Sequence, residues 1–263
     1  PKGVMMHDCA ITKNYTLFLD FPVTGDLEEA MKGGPAISWD PGNGARIGVI
    51  PRHGKADDVH WFDVCISFAF HTVNAYERGD EIIMEGCRSP KTNVIGAASE
   101  TESDAGDTPY LYQWRLSMKT GEVTESFIDH EHGCEFPRIN DNYAGLQHRF
   151  AYCSRIPKKP TDGVMFDGLI KYDRANDTAE HIEFGTGRSG GEAIFAPRPG
   201  GTDEDDGWII GFVWDGNTRR SECFVVDAKN FGGGAVARVI IPARVPYGFH
   251  ASWVSAEDIA SQA

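Results

Sequence analysis

Three histidines have settings suited to metal chemistry. His7 follows Val4-Met5-Met6 and precedes Asp8-Cys9-Ala10-Ile11, His71 closes Phe68-Ala69-Phe70, and His250 closes Tyr247-Gly248-Phe249. An imidazole at the end of an apolar or aromatic run needs a partner for each ring nitrogen, and a metal ion can be one of them. Taken as residues alone, the three read first as unrelated core histidines. Two glutamates share that character. Glu135 opens Glu135-Phe136-Pro137-Arg138, and Glu192 follows two glycines and leads into the apolar run Ala193 to Ala196. A carboxylate beside apolar segments is costly unless paired. It can accept the Nδ1–H of a metal-ligating imidazole and so fix its tautomer, or it can form an ordinary ion pair, for instance with Arg138 or Arg198.

The other candidates are weaker. His53 and His60 bracket a charged loop, and His148 and His181 read as exposed beside Arg149 and Glu180. His130-Glu131-His132-Gly133-Cys134 lacks a second ligand pair at structural-zinc spacing and reads as a polar turn. Gly185-Thr186-Gly187-Arg188-Ser189-Gly190 matches a dinucleotide fingerprint in letters only. That fingerprint needs a following helix, and here a strand ending at Pro197 follows. There is no Walker loop, no GxSxG elbow and no HExxH. The six cysteines, Cys9, Cys65, Cys87, Cys134, Cys153 and Cys223, form no CxxC pair, and several fall inside strand-like runs. They read as reduced thiols of a cytoplasmic protein.

The elements that must position these groups are strands. Tyr15 to Val23, Ala45 to Pro51 and His60 to Ile66 are β-branched or aromatic runs. Four hairpins are signalled: Phe68–Tyr76 with Glu81–Glu85, Leu111–Leu116 with Glu122–Ile128, Leu169–Tyr172 with Ala179–Phe184, and Trp208–Trp214 with Glu222–Val226. Each is joined by Gly, Asn or Asp turn chemistry. One helix is predicted, Asp26 to Lys32, capped by Asp26 and ended by Gly33-Gly34. Strands without intervening helices exclude a βαβ sheet and leave a sandwich, a barrel or a propeller. The acidic patch Asp203 to Asp206 reads as a solvated loop. With 263 residues and 41% apolar content, the chain can bury a core. A net charge of −14 argues against nucleic acid, whose phosphates need clustered Lys and Arg.

At these residues the chain resembles the carotenoid cleavage oxygenase family, which includes lignostilbene and resveratrol dioxygenases. Met5-Met6-His7-Asp8-Cys9-Ala10-Ile11-Thr12 is similar to the family's second histidine motif. Trp61-Phe62-Asp63 with Phe70-His71-Thr72-Val73-Asn74-Ala75-Tyr76-Glu77 is similar to the third, and Pro246-Tyr247-Gly248-Phe249-His250 to the fourth. Glu135 to Arg138 and Gly191 to Arg198 resemble its downstream glutamate motifs, and Glu204-Asp205-Asp206-Gly207-Trp208 is also typical. The likeness covers nearly the whole chain in the family's order, which tips the balance away from unrelated core histidines.

The resemblance implies an all-β, seven-bladed β-propeller. Residues 1–263 would form its later blades and closing strand, the C-terminal portion of a single propeller domain. It implies non-haem Fe(II) held by four neutral histidines, of which His7, His71 and His250 would be three, with Glu135 orienting His71 and Glu192 orienting His250. No catalytic side chain is expected beyond the metal centre. The reaction would be O2-dependent cleavage of a conjugated C=C bond in an apolar polyene or stilbene to two carbonyl products. A peripheral membrane contact for substrate uptake is a further expectation. The family's first histidine and N-terminal blades have no counterpart in these residues. Cys9 stands where the family has a bulky aromatic, and Cys65 and Ala193 where proline is common. The alternatives are a catalytically silent propeller module that binds an apolar ligand or a protein, and alkene isomerisation as in the family's retinoid isomerase branch.

Overall fold

Alternating apolar and polar residues set the strands. In Tyr110–Ser117, Tyr112, Trp114 and Leu116 are buried while Gln113, Arg115 and Ser117 are partly solvated, the period-two pattern of a half-buried strand. The computed structural model describes residues 2–92, 107–159 and 164–261. They fall into two compact units, Pro1–Gly133 with Ala144–Gln147, and Cys134–Tyr143 with His148–Ala263.

The first unit holds two four-stranded antiparallel sheets. One runs β1 (Cys9–Ile11), β2 (Tyr15–Asp20), β5 (Arg46–Pro51) and β6 (His60–Asp63). The small pair β3 (Val23–Gly25) and β4 (Ile37–Trp39) is inserted between β2 and β5. The other is a meander of β7 (Phe68–Arg78), β8 (Glu81–Ser89), β9 (Tyr110–Ser117) and β10 (Val123–Phe127). Gly79, at φ 63°, supplies the positive dihedral that the two-residue turn between β7 and β8 requires. Leu17, Ile47, Phe68, Ile82, Met84 and Trp114 share one core, each apolar side chain contributing about 1.5–3 kcal/mol on full burial.

The second unit holds two more meanders. They are β11 (Cys134–Arg138), β12 (Phe150–Arg155), β13 (Gly168–Asp173) and β14 (Thr178–Glu183), and β15 (Arg188–Pro197), β16 (Gly207–Asp215), β17 (Arg220–Asp227) and β18 (Ala235–Ile241). Tyr152, Leu169, Phe195, Ile209, Phe224 and Phe231 lie in its core. Four-stranded antiparallel meanders in succession are the repeat of a propeller.

All four expected hairpins form; most of their strands run longer than the turn signals delimit, while β10 is shorter and β14 is shifted by one residue. The expected helix is α1 (Leu27–Met31). The Asp26 side chain accepts the Glu29 N–H at 3.0 Å, and Gly33 follows at φ 87°. Three expectations need correction. A second helix, α2 (Ala256–Ser261), starts on a reciprocal cap. The Ser255 hydroxyl accepts the Asp258 N–H at 3.0 Å, and the Asp258 carboxylate accepts the Ser255 N–H at 3.3 Å. His148 is buried at 4% exposure rather than exposed. The acidic patch is built into the fold. The Glu204 carboxylate accepts the Arg149 and Phe150 N–H groups, Asp205 pairs with the buried Lys171 at 2.8 Å, and Asp206 pairs with Arg198 and Lys229. Buried ammonium and unpaired strand-end N–H groups need acceptors, and this loop supplies them.

Candidate metal centre

In the first unit His7 lies on the extended segment before β1. The Met5 N–H donates to the Val23 carbonyl at 2.7 Å, and Val4 bridges Thr24, so the segment is laid along β3. His71 lies in β7 where the register with β8 shifts between Ala69 and Thr72 and again before Asn74. Such a bulge re-aims the side chain it carries. Opposite it, Gly86 lets the strands close up, since a Cβ there would stand 3.1 Å from the His71 carbonyl and 3.3 Å from the Trp114 ring. The His7 and His71 rings meet edge to face, centroids 5.1 Å apart at 76°, and Phe70 packs on His7 at 5.3 Å.

Polar residues after His71 tie neighbouring segments to β7. The Asp8 carboxylate accepts the N–H and the hydroxyl of Thr72, both at 2.8 Å, as well as the Cys9 N–H at 2.7 Å. The Asn74 side chain accepts the Gly145 N–H and donates to the Leu146 carbonyl. Glu77 accepts the Thr12 hydroxyl at 2.6 Å and the Asn14 backbone and side-chain N–H groups at 2.8 Å. Burial pushes the Glu77 pKa up, but the bonds from Thr12 and Asn14 outweigh it and hold the carboxyl below its ordinary value. Cys9 is a solvent-facing thiol whose pKa is raised by partial desolvation and then by Asp8.

In the second unit Glu192 sits in the β15 bulge, where the register with β16 shifts between Gly190 and Ala193. The Ser154 hydroxyl donates to the Gly191 carbonyl at 2.7 Å and braces that bulge. Glu192 is 8% exposed. Its carboxylate accepts the Ala251 N–H, lies 3.4 Å from His250 Nδ1 and stands 3.9 Å from Arg138. The carboxylate thus pins the His250-Ala251 backbone to β15. Arg198 pairs with Asp206 and Asp227 instead. Phe136 packs edge to face on His250 at 5.5 Å, from a third bulge, between Glu135 and Arg138. Its φ of 51° is rare for a residue with a Cβ, and its N–H donates to the Glu135 carboxylate, which is itself buried. A cavity of about 290 Å³ beside His250 is walled by Phe212, Trp214, Tyr247 and Phe249.

The apolar flanks do not bury two of the histidines as their sequence settings suggest. His7 and His250 are exposed and His71 is half-buried; Met6 beside His7, and Tyr247 and Phe249 beside His250, themselves face solvent. His130 and His132 lie in a bend organised by Asp129, which accepts the Glu131 N–H and contacts His132 Nδ1 at 2.9 Å. The GxGxxG letters run into β15, not a helix. Asp8, Thr72 and Phe136 were legible only as neighbours of motif residues, since nothing in the sequence marks the Asp8 carboxylate and the Thr72 hydroxyl as a pair.

The donor set suits a divalent transition metal. Two imidazoles on one ion hold their centroids about 4.5–5.5 Å apart when each metal–nitrogen bond is roughly 2.1 Å, and the His7–His71 spacing falls in that range. Neutral nitrogen donors favour iron, zinc, copper or nickel over magnesium or calcium.

A family model described as retinal pigment epithelial membrane protein matches residues 1–255. The chain is 39% identical over 275 residues to carotenoid 9,10(9',10')-cleavage dioxygenase 1 of Pisum sativum, covering 99% of this chain and 50% of that protein. Among solved structures, cobalt-substituted Synechocystis apocarotenoid oxygenase matches with a TM-score of 0.87 at 26% identity, over 96% of this chain and 53% of that one. Pseudomonas brassicacearum lignostilbene dioxygenase matches with a TM-score of 0.85 at 26% identity, over 94% and 54%. The chain spans about half the length of the curated relatives it matches. Its sheets are blades of the β-propeller those structures share.

Proposed function

Since the chain belongs to the retinal pigment epithelial membrane protein family, the family of the carotenoid and stilbene cleavage oxygenases, we propose that the complete protein is a non-haem Fe(II) dioxygenase. It cleaves a conjugated C=C bond of a carotenoid, apocarotenoid or stilbene-type substrate with O2 to give two carbonyl products. His7, His71 and His250 bind the iron as neutral imidazoles. Glu192 holds His250 in the tautomer that leaves Nε2 for the metal, and Glu135 serves His71 in the same way. Bound iron supplies the activation of O2 for alkene cleavage. The chain's own residues position it. The aromatic walls beside His250 bind and orient an apolar conjugated ligand. A cytoplasmic setting with reduced thiols, and one propeller domain that includes residues 1–263, belong to the same reading.

The observation that carries the reading is the His7–His71 pair, set edge to face beside a bulge. The test is metal analysis of the purified complete protein, with oxygen uptake and carbonyl products measured on a stilbene and an apocarotenoid. Iron near one equivalent with substrate-dependent uptake supports it. Absence of iron binding refutes it, and ligand binding without oxygen uptake replaces it with the silent binding module. Isomerised alkene without uptake replaces it with isomerisation.

A further inference from the structure

The two histidines of the first unit are linked through the residues that follow them. Asp8 follows His7 and Thr72 follows His71. One Asp8 carboxylate oxygen takes both the N–H and the hydroxyl of Thr72 at 2.8 Å, and the other takes the Cys9 N–H at 2.7 Å. Thr72 lies between two register shifts of β7, the edge strand of its meander, and the carboxylate takes its N–H there. Chain direction then carries each histidine one residue back from this junction, onto rings 5.1 Å apart. A second tie between the same segments, from Glu77 to Thr12 and Asn14, sits at the far end of β1.

We infer that Asp8 is a positioning residue for the metal site: through Thr72 it sets the separation and mutual angle of the His7 and His71 rings, whereas Glu77 anchors the same segment without setting the rings. The inference rests on the metal-binding reading above. A carboxylate has the right chemistry for the task. It is acceptor-only, has two oxygens for three donors, and its charge-assisted bonds are shorter and stiffer than neutral ones. Pinning the backbone beside each ligand fixes the rings before metal arrives, so less order remains to be gained on binding.

Cobalt(II) titration of the purified complete protein, followed by its visible d–d absorption, tests this without turnover. Asp8→Ala should weaken cobalt affinity by about 10-fold or more, the range for residues that orient ligands, and should shift the cobalt bands. Thr72→Val should do the same to a smaller degree, and Thr72→Ser, which keeps the hydroxyl, should restore the wild-type spectrum. Glu77→Gln should lower Tm and leave affinity and spectrum unchanged. If Asp8→Ala does not fold, the contrast between Thr72→Val and Thr72→Ser decides. The inference is overturned if the folded Asp8 and Thr72 variants bind cobalt with wild-type affinity and spectrum, or if Glu77→Gln disturbs the spectrum as much as they do. No cobalt binding by the unsubstituted protein overturns the metal reading itself, and this inference with it.

Discussion

Replacing Glu192 by glutamine tests the orienting role with minimal change of shape. The Glu192 side chain is 4% exposed, so solvent screens its interactions little. It meets three groups: the Ala251 N–H, His250 Nδ1 at 3.4 Å and the Arg138 guanidinium at 3.9 Å. Glutamine can keep one acceptor for Ala251. Its amide NH2 is then a donor facing either the imidazole N–H or Arg138, and the negative charge that favours an Nδ1–H tautomer is gone. Losing an orienting carboxylate typically weakens metal affinity or activity 10–100-fold, which is about 1.4–2.7 kcal/mol at 1.36 kcal/mol per decade. Hydrogen bonds to charged groups are worth about 1.5–3 kcal/mol to the fold, so Tm should also fall by several degrees. Metal occupancy at limiting iron, kcat and Tm should be measured on the same preparations. The expected result is reduced occupancy at a metal concentration that saturates the wild type, partly recovered by excess iron. Unchanged occupancy and kcat with a lowered Tm would refute the orienting role and leave Glu192 as a brace for the backbone at Ala251.

His71→Ala should abolish iron binding and turnover, whereas His130→Ala and His132→Ala, in the Asp129 bend, should leave metal content within error of wild type. Lys171 is 5% exposed and donates to Asp205 at 2.8 Å and to the Ala228 carbonyl at 2.7 Å. Lys171→Ala should therefore destabilise by about 3–5 kcal/mol, as breaking a buried pair does, measured by urea unfolding. Glu77 has a lowered pKa, so its contribution to stability is present above its ordinary value of 4.5 and is lost as pH falls through the folded-state value. Glu77→Gln should accordingly lose stability at pH 7 and show a shallower acid-side decline, and an unchanged pH profile would count against the Thr12–Asn14 latch.

The strands were legible where turn chemistry closed them, as at Gly79 between β7 and β8 and at Asp177, φ 54°, between β13 and β14. β1, β4, β11, β12 and β18 were missed. β12 begins directly after His148-Arg149 with no turn signal, and β18 alternates weakly because most of it faces solvent. α2 was missed because six residues are too few for a helical period to show, although its Ser255–Asp258 cap is written in the sequence. His7, His71, His250, Glu135 and Glu192 were legible as ordered motifs, and their roles came only from the family resemblance, not from residue type or spacing. The half-buried partner of Thr72 is a charged residue beside a histidine, and nothing in its type separates it from a solvated aspartate.

What periodicity cannot convey is the bulge. His71, the Glu135–Phe136 pair and Glu192 each lie where the first strand of a four-stranded meander slips register: β7, β11 and β15. In a regular strand neighbouring side chains alternate between faces, so a run such as Phe70-His71-Thr72 would send His71 to one face and both neighbours to the other. A bulge breaks that rule. It frees backbone N–H groups, and carboxylates take up the slack in two cases: Asp8 binds Thr72 N–H, and Glu135 binds Phe136 N–H. It also permits the φ of 51° at Phe136 that sets its ring against His250. Asp8 thus does two jobs with one charge: it takes the Thr72 N–H between the register shifts of β7 and holds the His7 segment against that strand. Glu192 does the second alone, through the Ala251 N–H. The shared pattern is a carboxylate that holds a segment carrying a histidine. It also locates the fragility of the site in hydrogen bonds to backbone rather than in the apolar core, which substitutions at Asp8 and Glu192 probe directly.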